Sequence, residues 1–377
     1  MFSAADHRYM SRALQLAAEG LCTTEPNPRV GCVLVRDGGI VGEGYHQRAG
    51  EGHAEVNALA MAGERAQGAT AYVTLEPCSH FGKTPPCSDA LVKAGVTRVV
   101  SAMEDPNPQV SGRGHQRLRD AGIEVASGLM QIQAEALNPG FIKRMREGLP
   151  YVRIKQAMSL DGRTAMASGE SQWITGPAAR SDVQKLRARS SAVMTGSGTL
   201  LADNPALTLR AEQLGLANAD QVVRRQPLRV VLDSQLQIPL DAAILHQPGT
   251  TLLVHGGADA ARVEALQQRG ATLVERDSRD LEAVLRWLAR DHQCNELLVE
   301  AGATLTGALL RAGLVDELVI YLAPTLLGSS ARPLFELPLT RMAEQQRLIL
   351  RDQRMLGDDL RLTYSLAGQA LAPVEEN

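Results

Sequence analysis

Two α/β domains in series are what this sequence predicts, and three observations carry the prediction. The chain has 377 residues, more than one hydrophobic core usually serves. Short apolar runs of strand length alternate with amphipathic helical stretches along nearly all of it. The alternation also starts afresh after "GLP". A boundary therefore falls near residue 149, giving domains over 1–148 and 149–367 and an unstructured tail over 368–377.

Residues 6–20, "DHRYMSRALQLAAEG", place Met10, Ala13, Leu14 and Ala17 on one helical face, closed by Gly20. "VGCVLVRDGGIVGEGYH" reads as two strands around a "DGG" turn. "HAEVNALAMAGERA" is helical through Val56, Leu59, Ala60 and Gly63, and the strand "AYVTLEP" follows. Then come helix "CSDALVKAG", strand "TRVVSAM", helix "GRGHQRLRDAG" and strand "IEVASG". The order implies a layered sheet with helices on its faces. One last helix, "MQIQAEALNPGFIKRMREG", ends near Gly148.

The second half opens with strand "YVRIKQAMS", helix "GPAARSDVQKLRARS" and strand "SAVMTGS". Strands "LRVVLDS" and "TTLLVHGG" precede helix "LEAVLRWLARDH". Strand "ELLVEAG" leads into helix "ATLTGALLRAG", and "DELVIYLAP" closes the core. No internal repeat interrupts this order.

Composition narrows the function classes. Net charge is −3 with 21% charged residues, which argues against a chain built around nucleic acid or an anionic membrane. Aromatics, at 3%, are too few for base-stacking platforms. The longest apolar run, "LVIYLAPTLL", is short and holds a proline, so no membrane span is expected. The start "MFSAADHRYM" has no basic and apolar leader pattern. Five cysteines, an odd number in a long chain, argue against a disulfide framework and for a reduced cytoplasmic setting. Cys22, Cys32 and Cys294 have no evident role.

The chemistry concentrates around "HAE" and "PCSHFGKTPPC". Cys78 and Cys87 offer two thiolates to zinc, whose catalytic sites use three protein ligands and keep one position for water. His80 is a candidate third ligand, but it lies two residues from Cys78 in a proline-rich loop, where chelation is sterically awkward. His53 is the better candidate because it opens a helix. Cys87 opens another, and a helix N-terminus favours a thiolate. Glu55, at i+2 from His53, reaches the same spot only if His53 sits at the half-helical first position. It would then act as general acid and base without ligating the metal. The bland alternatives are a capping histidine, inert core thiols, or a structural zinc with His80 as fourth ligand. The combination of H-x-E at one helix start with Pro-Cys and a second Cys at the next favours deamination.

On these motifs residues 1–147 resemble the cytidine-deaminase-like zinc deaminases. The eight residues between the cysteines depart from the commonest form of that signature. With "PNPRVG" and "EDPNPQVSGRG" they look like the deaminase half of the bifunctional riboflavin-biosynthesis deaminase/reductase family. The resemblance implies an α/β/α layered sheet and a ribosylaminopyrimidine phosphate substrate. It places Asn27, His46, His80, Lys83 and Thr84 on substrate positions, with Asp105 and Asn107 as weaker candidates. Lys83 is also a plausible phosphate partner on charge grounds.

The second half has no G-x-G-x-x-G after a strand, so a dinucleotide site of that type is not supported. Two glycine-bearing strand ends, "MTGSGTLLADNP" and "VEAGATLTGALL", suit a phosphate-bearing ligand or are simply tight turns. Together with "KQAMSLDGRTA" and "SQWITG" they look like the reductase half of the same family. That resemblance implies a dihydrofolate-reductase-like fold, NADPH as cofactor, and hydride transfer to the ribose carbon. It puts Ala157, Trp173, Thr199, Asp203, Ser234, Gly302, Ala303 and Thr304 on cofactor positions. Ser171, Arg187, Leu207, Arg210 and Glu300 fall on substrate positions. Arg187 and Arg210 suit phosphate, or are a solvated helix face and a strand edge. Asp203 and Glu300 both qualify as the proton source, and the sequence assigns no role to Lys155 or Asp161.

Zinc and NADPH are thus the expected cofactors, and a homodimer or higher homo-oligomer acting on a small molecule is the expected assembly. The rival reading is an RNA or nucleoside deaminase with an accessory binding domain, for which "IKRMRE" and "VVRRQPLR" are too short and scattered. A noncatalytic zinc scaffold would have no use for Glu55.

Overall fold

In the computed structural model residues 1–79, 86–108 and 110–367 are described. The tail expected over 368–377 lies outside them. Contacts divide the chain into two compact units, Met1–Gly148 and Leu149–Asn377.

The first unit begins with α1 (Ala4–Glu19), whose start is a capping box: Asp6 N–H donates to Ser3 Oγ, and Ser3 N–H donates to the Asp6 carboxylate. β1 (Gly31–Arg36) and β2 (Gly39–Tyr45) form the expected hairpin. Its turn residues Asp37 and Gly38 both have positive φ, 53° and 76°, as the tight primed turn requires. Then follow α2 (Ala54–Ala62), β3 (Thr70–Val73), α3 (Cys87–Lys93), β4 (Arg98–Ser101), α4 (Arg113–Asp120) and β5 (Glu124–Ser127). The sequence reading gave one closing helix, but the structure has two, α5 (Gln131–Leu137) and α6 (Pro139–Glu147). Pro139 lacks an N–H and pushes Asn138 out of helical geometry, to φ −127° and ψ 37°.

The sheet order is β2-β1-β3-β4-β5, antiparallel across β1 and parallel from β3 to β5. Alternate residues of β1 face opposite layers. Val33 and Val35 pack with Tyr9, Met10 and Leu14, while Cys32 and Leu34 pack with Ala58, Leu91 and Leu118.

The second unit runs β6 (Tyr151–Ser159), β7 (Arg163–Ala165), α7 (Pro177–Arg189), β8 (Ala192–Gly196) and α8 (Ser197–Asp203). Short α9 (Ala211–Leu214) and α10 (Ala219–Val222) lead to β9 (Leu228–Leu232), β10 (Thr251–His255), α11 (Ala260–Gln268) and β11 (Ala271–Glu275). It continues with α12 (Leu281–Asp291), β12 (Glu296–Val299), α13 (Ala303–Arg311), β13 (Glu317–Ala323), β14 (Arg332–Pro333), β15 (Leu348–Leu356) and β16 (Asp359–Leu366). The main sheet has nine strands in the order β11-β10-β9-β8-β12-β6-β13-β16-β15. β11 through β13 are parallel, and β16 and β15 join antiparallel.

β13 therefore does not close the core, as the sequence suggested; it lies inside the sheet between β6 and β16. The final hairpin escaped the sequence reading because β15 is largely exposed and mixes leucines with arginines and aspartate. α11 and β11 were likewise unread, and "TGSGTLLADNP" forms α8 after its glycine. At the sheet's centre Arg153 of β6 is fully buried, its charge taken up by Glu296 of β12 and Glu317 of β13.

Helix α2 lies unusually close to β2. A Cβ on Gly44 would sit 2.5 Å from Ala58 N and 2.6 Å from Ala54 O. One on Gly42 would sit 2.3 Å from Ala58 O. Since those neighbours are backbone, Gly44→Ala is expected to destabilise the chain by about 1–3 kcal/mol. Denaturant unfolding followed by circular dichroism measures it, and an unchanged midpoint would show that α2 has room to shift.

Candidate active sites

His53 is the N-cap of α2, at φ −72° and ψ 167°, and its ring makes no capping bond. Glu55 follows in the first helical turn. This half-helical placement lets His53 turn toward the loop after β3, where Cys78 lies. Cys87 is the first residue of α3. His53 Nδ1 is 3.6 Å from Cys78 Sγ and 3.3 Å from Cys87 Sγ, and all three ligand atoms lie within 4.8 Å of one another. Tetrahedral zinc, with bonds of about 2.0–2.3 Å, puts ligand atoms roughly 3.5–3.8 Å apart, so the donor set fits zinc. Among the described residues this is the one cluster of metal-ligating type, and it holds three side chains.

The Cys87 thiol and His53 hydrogen-bond the Cys78 sulfur and lower its pKa despite burial, which favours the thiolate. The Cys87 N–H also donates to Cys78 Sγ at 3.3 Å. The helix start thus serves Cys78 and not its own cysteine, whose thiol is pushed up by the thiolate beside it and by burial. His53 is raised by its bond to Cys78. Burial, with the Cys78 charge nearby, lifts Glu55 to about 7. Glu55 is 3% exposed, and Cys32, fully buried, is an inert thiol pushed up by burial and by Glu55.

His46 and Asn27 join this group. The Asn27 amide lies 3.0 Å from His46 Nε2, and His46 Nδ1 lies 3.1 Å from Gly52 O. The two contacts suit a neutral ring, which burial also favours. The His46 ring stands edge-on to His53 at 5.2 Å. His80, Lys83 and Thr84 lie outside the described residues. Asp105 is buried and raised to about 6, chiefly by burial with the Glu76 and Cys78 charges adding, and its Oδ1 accepts the Asn107 N–H. Sequence reasoning missed Ser88, whose N–H and Oγ both reach the Cys78 carbonyl, at 3.2 and 3.1 Å. A serine after a helix-opening cysteine carries no signal of that contact.

In the second unit the parallel strands β8, β9, β10 and β12 end along one edge, which gathers Gly196, Ser234, Gly256 and Gly302. Gly302 is the N-cap of α13 and has no side-chain cap. Its N–H donates to Thr199 Oγ1 at 3.2 Å, and Gly256 N–H donates to the Ser234 carbonyl at 3.1 Å. A Cβ at Gly198 or Gly302 would meet no described atom within 4 Å. Open space above an uncapped helix start suits a pyrophosphate, with Gly302, Ala303 and Thr304 at its rim. The helix start fits the pyrophosphate of NADPH.

Two further pairs form. Ser171 Oγ donates to Asp203 Oδ1 at 2.7 Å. Arg187 holds Glu300 with two bonds, 2.5 and 3.0 Å, at 14% and 11% side-chain exposure, and also reaches Thr208 O. Arg187 is thus no solvated helix face, and its fork is already occupied. Burial would raise Glu300, but Arg187 outweighs it and keeps the carboxyl ionised. Lys155 of β6 sits within electrostatic reach of Glu300, Arg187 and Asp203, its pKa lowered by burial. Leu207 is buried at a φ of 52°, a strained conformation for a bulky side chain. Arg210, exposed, caps α9 and is no strand edge; its N–H donates to Gln184. Trp173 is 71% exposed beneath the Arg180 guanidinium, and Ala157 lies on β6 opposite Tyr321. Asp161 accepts the N–H groups of Leu327 and Gly328, which makes it a loop clasp.

Comparison with known proteins accounts for both units. The family described as "RibD C-terminal domain" matches residues 150–362. "Cytidine and deoxycytidylate deaminase zinc-binding region" matches residues 3–103. Riboflavin biosynthesis protein RibD of Escherichia coli is 55% identical over 94% of this chain and 98% of its own. The structure of Acinetobacter baumannii RibD is 50% identical, with a TM-score of 0.90 over 96% of this chain and 99% of that one. A Thermotoga maritima diaminohydroxyphosphoribosylaminopyrimidine deaminase/5-amino-6-(5-phosphoribosylamino)uracil reductase is 30% identical, with a TM-score of 0.84 over 96% and 99% of the two chains. The fold class expected for each half holds. The chain belongs to the RibD family of bifunctional riboflavin-biosynthesis enzymes, a zinc deaminase joined to an NADPH-dependent reductase.

Proposed function

We propose that the first unit removes an amino group from 2,5-diamino-6-ribosylamino-4-pyrimidinone 5′-phosphate, and that the second reduces the ribosyl group of the product to a ribityl chain. The observation that carries this reading is the convergence of His53, Cys78 and Cys87 with Glu55 buried beside them.

His53, Cys78 and Cys87 are the zinc ligands of this reading. Zinc, when bound, supplies an acidified water as the nucleophile. Glu55 moves a proton to the ring nitrogen next to the amino-bearing carbon, then to the departing amine, so that ammonia leaves as a neutral molecule. Asn27 and His46 orient the pyrimidine. His80, Lys83 and Thr84, outside the described residues, are further substrate contacts in this reading, and the charge of Lys83 suits the phosphate.

NADPH supplies the hydride in the second step. The helix start at Gly302, Ala303 and Thr304 takes its pyrophosphate, with the Gly302 N–H held by Thr199 Oγ1, and Ala157, Trp173, Thr199, Asp203 and Ser234 line the rest of its site. Ser171, Leu207 and Arg210 hold the second substrate, Arg210 through its phosphate. Arg187 and Glu300 hold it as a pair. Because Glu300 is ionised and held by Arg187, it serves as an acceptor for sugar hydroxyls and not as the proton source.

The enzyme works as a homodimer or higher homo-oligomer in the cytoplasm. β15, whose outer side pairs with no strand among the described residues and which exposes Leu348, Ile349, Leu350 and Met355, supports self-association. The five cysteines, none of them in a disulfide, agree with a reducing compartment.

Glu55→Gln is expected to lower ammonia release by roughly 10²–10⁴-fold while NADPH-dependent reduction of the deaminated intermediate persists. Loss of both activities, or of neither, would count against two separable sites. His53→Ala should lose zinc in metal analysis and His80→Ala should keep it; the reverse pattern would move the third ligand to His80. For assembly, Ile349→Lys with Leu350→Asp is expected to give the monomer mass in light scattering where the parent chain gives a dimer or larger. A monomeric parent chain would end that proposal.

A further inference from the structure

Glu76 stands two residues before Cys78 and is 2% exposed. Its carboxylate accepts four backbone N–H groups, all from one distant segment. Oε2 takes those of Asp105 at 3.1 Å and Gly112 at 2.9 Å. Oε1 takes those of Gly114 at 2.8 Å and His115 at 3.2 Å. Gly112 is the N-cap of α4, and it has no side chain to satisfy the helix's free donors. Glu76 does so from another part of the chain, with its charge at the favourable end of the helix dipole. The contact is tight, since a Cβ on Gly114 would lie 1.9 Å from Pro77 O.

The Asp105 N–H has a different meaning. It is no helix donor; it begins the turn in which Asp105 Oδ1 accepts the Asn107 N–H at 2.8 Å. One carboxylate therefore holds both ends of the segment from residue 105 to 112, and it does so from the residue next to Pro77-Cys78. Asp105 is itself within electrostatic reach of Cys78. A residue needed only to cap α4 would have no reason to take the Asp105 amide as well.

We propose that Glu76 is a positioning residue for deamination, fixing the turn at Asp105 and the start of α4 against the metal-ligand loop so that Asp105 stands beside Cys78 at the pyrimidine site. This role rests on the deaminase reading of the first unit. Glutamine at this position would set an NH2 group against some of the four amides. The effect is therefore a loss of substrate fit, with the metal ligands themselves in place.

The test compares Glu76→Gln and Glu76→Asp with the parent enzyme, full length and zinc-loaded. Zinc content, ammonia-release kcat and KM, and the reduction rate on the deaminated intermediate are measured together. Glu76→Gln is expected to keep its zinc and its reduction rate within about two-fold, while the KM for ammonia release rises roughly ten-fold and kcat changes less. Glu76→Asp, which keeps the acceptors, should rescue much but not all of that loss. An unchanged KM in both variants overturns the role, and so does zinc loss with a normal KM in the zinc-restored protein. If Glu76→Gln loses reduction as well, and so has not folded, Glu76→Asp decides alone by whether its KM rises. A parent enzyme releasing no ammonia overturns the deaminase reading together with this role, whereas ammonia release with unchanged KM overturns this role alone.

Discussion

The approach of α2 to β2 is the constraint on which the first active site depends. Gly42 and Gly44 let the helix backbone rest directly on the strand, at distances no side chain would allow. That contact sets the height at which α2 begins, and hence where His53 and Glu55 stand relative to the loop after β3. Asn57 adds to it by donating to Tyr45 O and Gly52 O, which ties the helix to the segment carrying His46. Glycine acts here through its lack of volume, since it opens a path for backbone against backbone.

Buried charge is handled in two different ways. Where it is structural, it is paired at once: Arg153 with Glu296 and Glu317, Asp6 with Arg98 and Tyr72. An unpaired buried ion would cost several kcal/mol, so these groups are neutralised locally. In the deaminase cluster the charges are left to lean on one another. Cys78 is held as a thiolate by a thiol, an imidazole and an amide, and its charge helps keep Glu55 protonated to higher pH than an exposed carboxyl. Perturbation of this kind concentrates where proton transfer is needed. The Arg187–Glu300 pair in the second unit lies between these cases, being saturated by hydrogen bonds yet open to neighbours with charge to share.

Much of the cluster was legible because it lies in short motifs whose local structure is simple. "HAE" at a helix start and Cys87 at the next are local facts, and helix starts can be read from a few residues. The "DGG" turn was similarly plain. The split at Pro139 was readable in principle, but the long apolar period across it concealed the break. The β15–β16 hairpin was not readable, because an exposed strand carries no alternation of apolar and polar residues. Arg187 illustrates a different gap: a helical arginine looks the same in sequence whether it meets water or a buried glutamate 113 positions away.

The sequence by itself determined the two α/β halves, the metal-ligand types and the carboxylate beside them, because periodicity and residue chemistry are local properties. Only the tertiary structure decided that the Cys87 N–H turns to the Cys78 sulfur, which carboxylate is locked in an ion pair, and that Glu76 gathers amides from residues 105 to 115. Those outcomes depend on distances between segments far apart in the chain. No spacing along the sequence encodes them, since a hydrogen bond to a backbone amide places no demand on the identity of the residue that donates it.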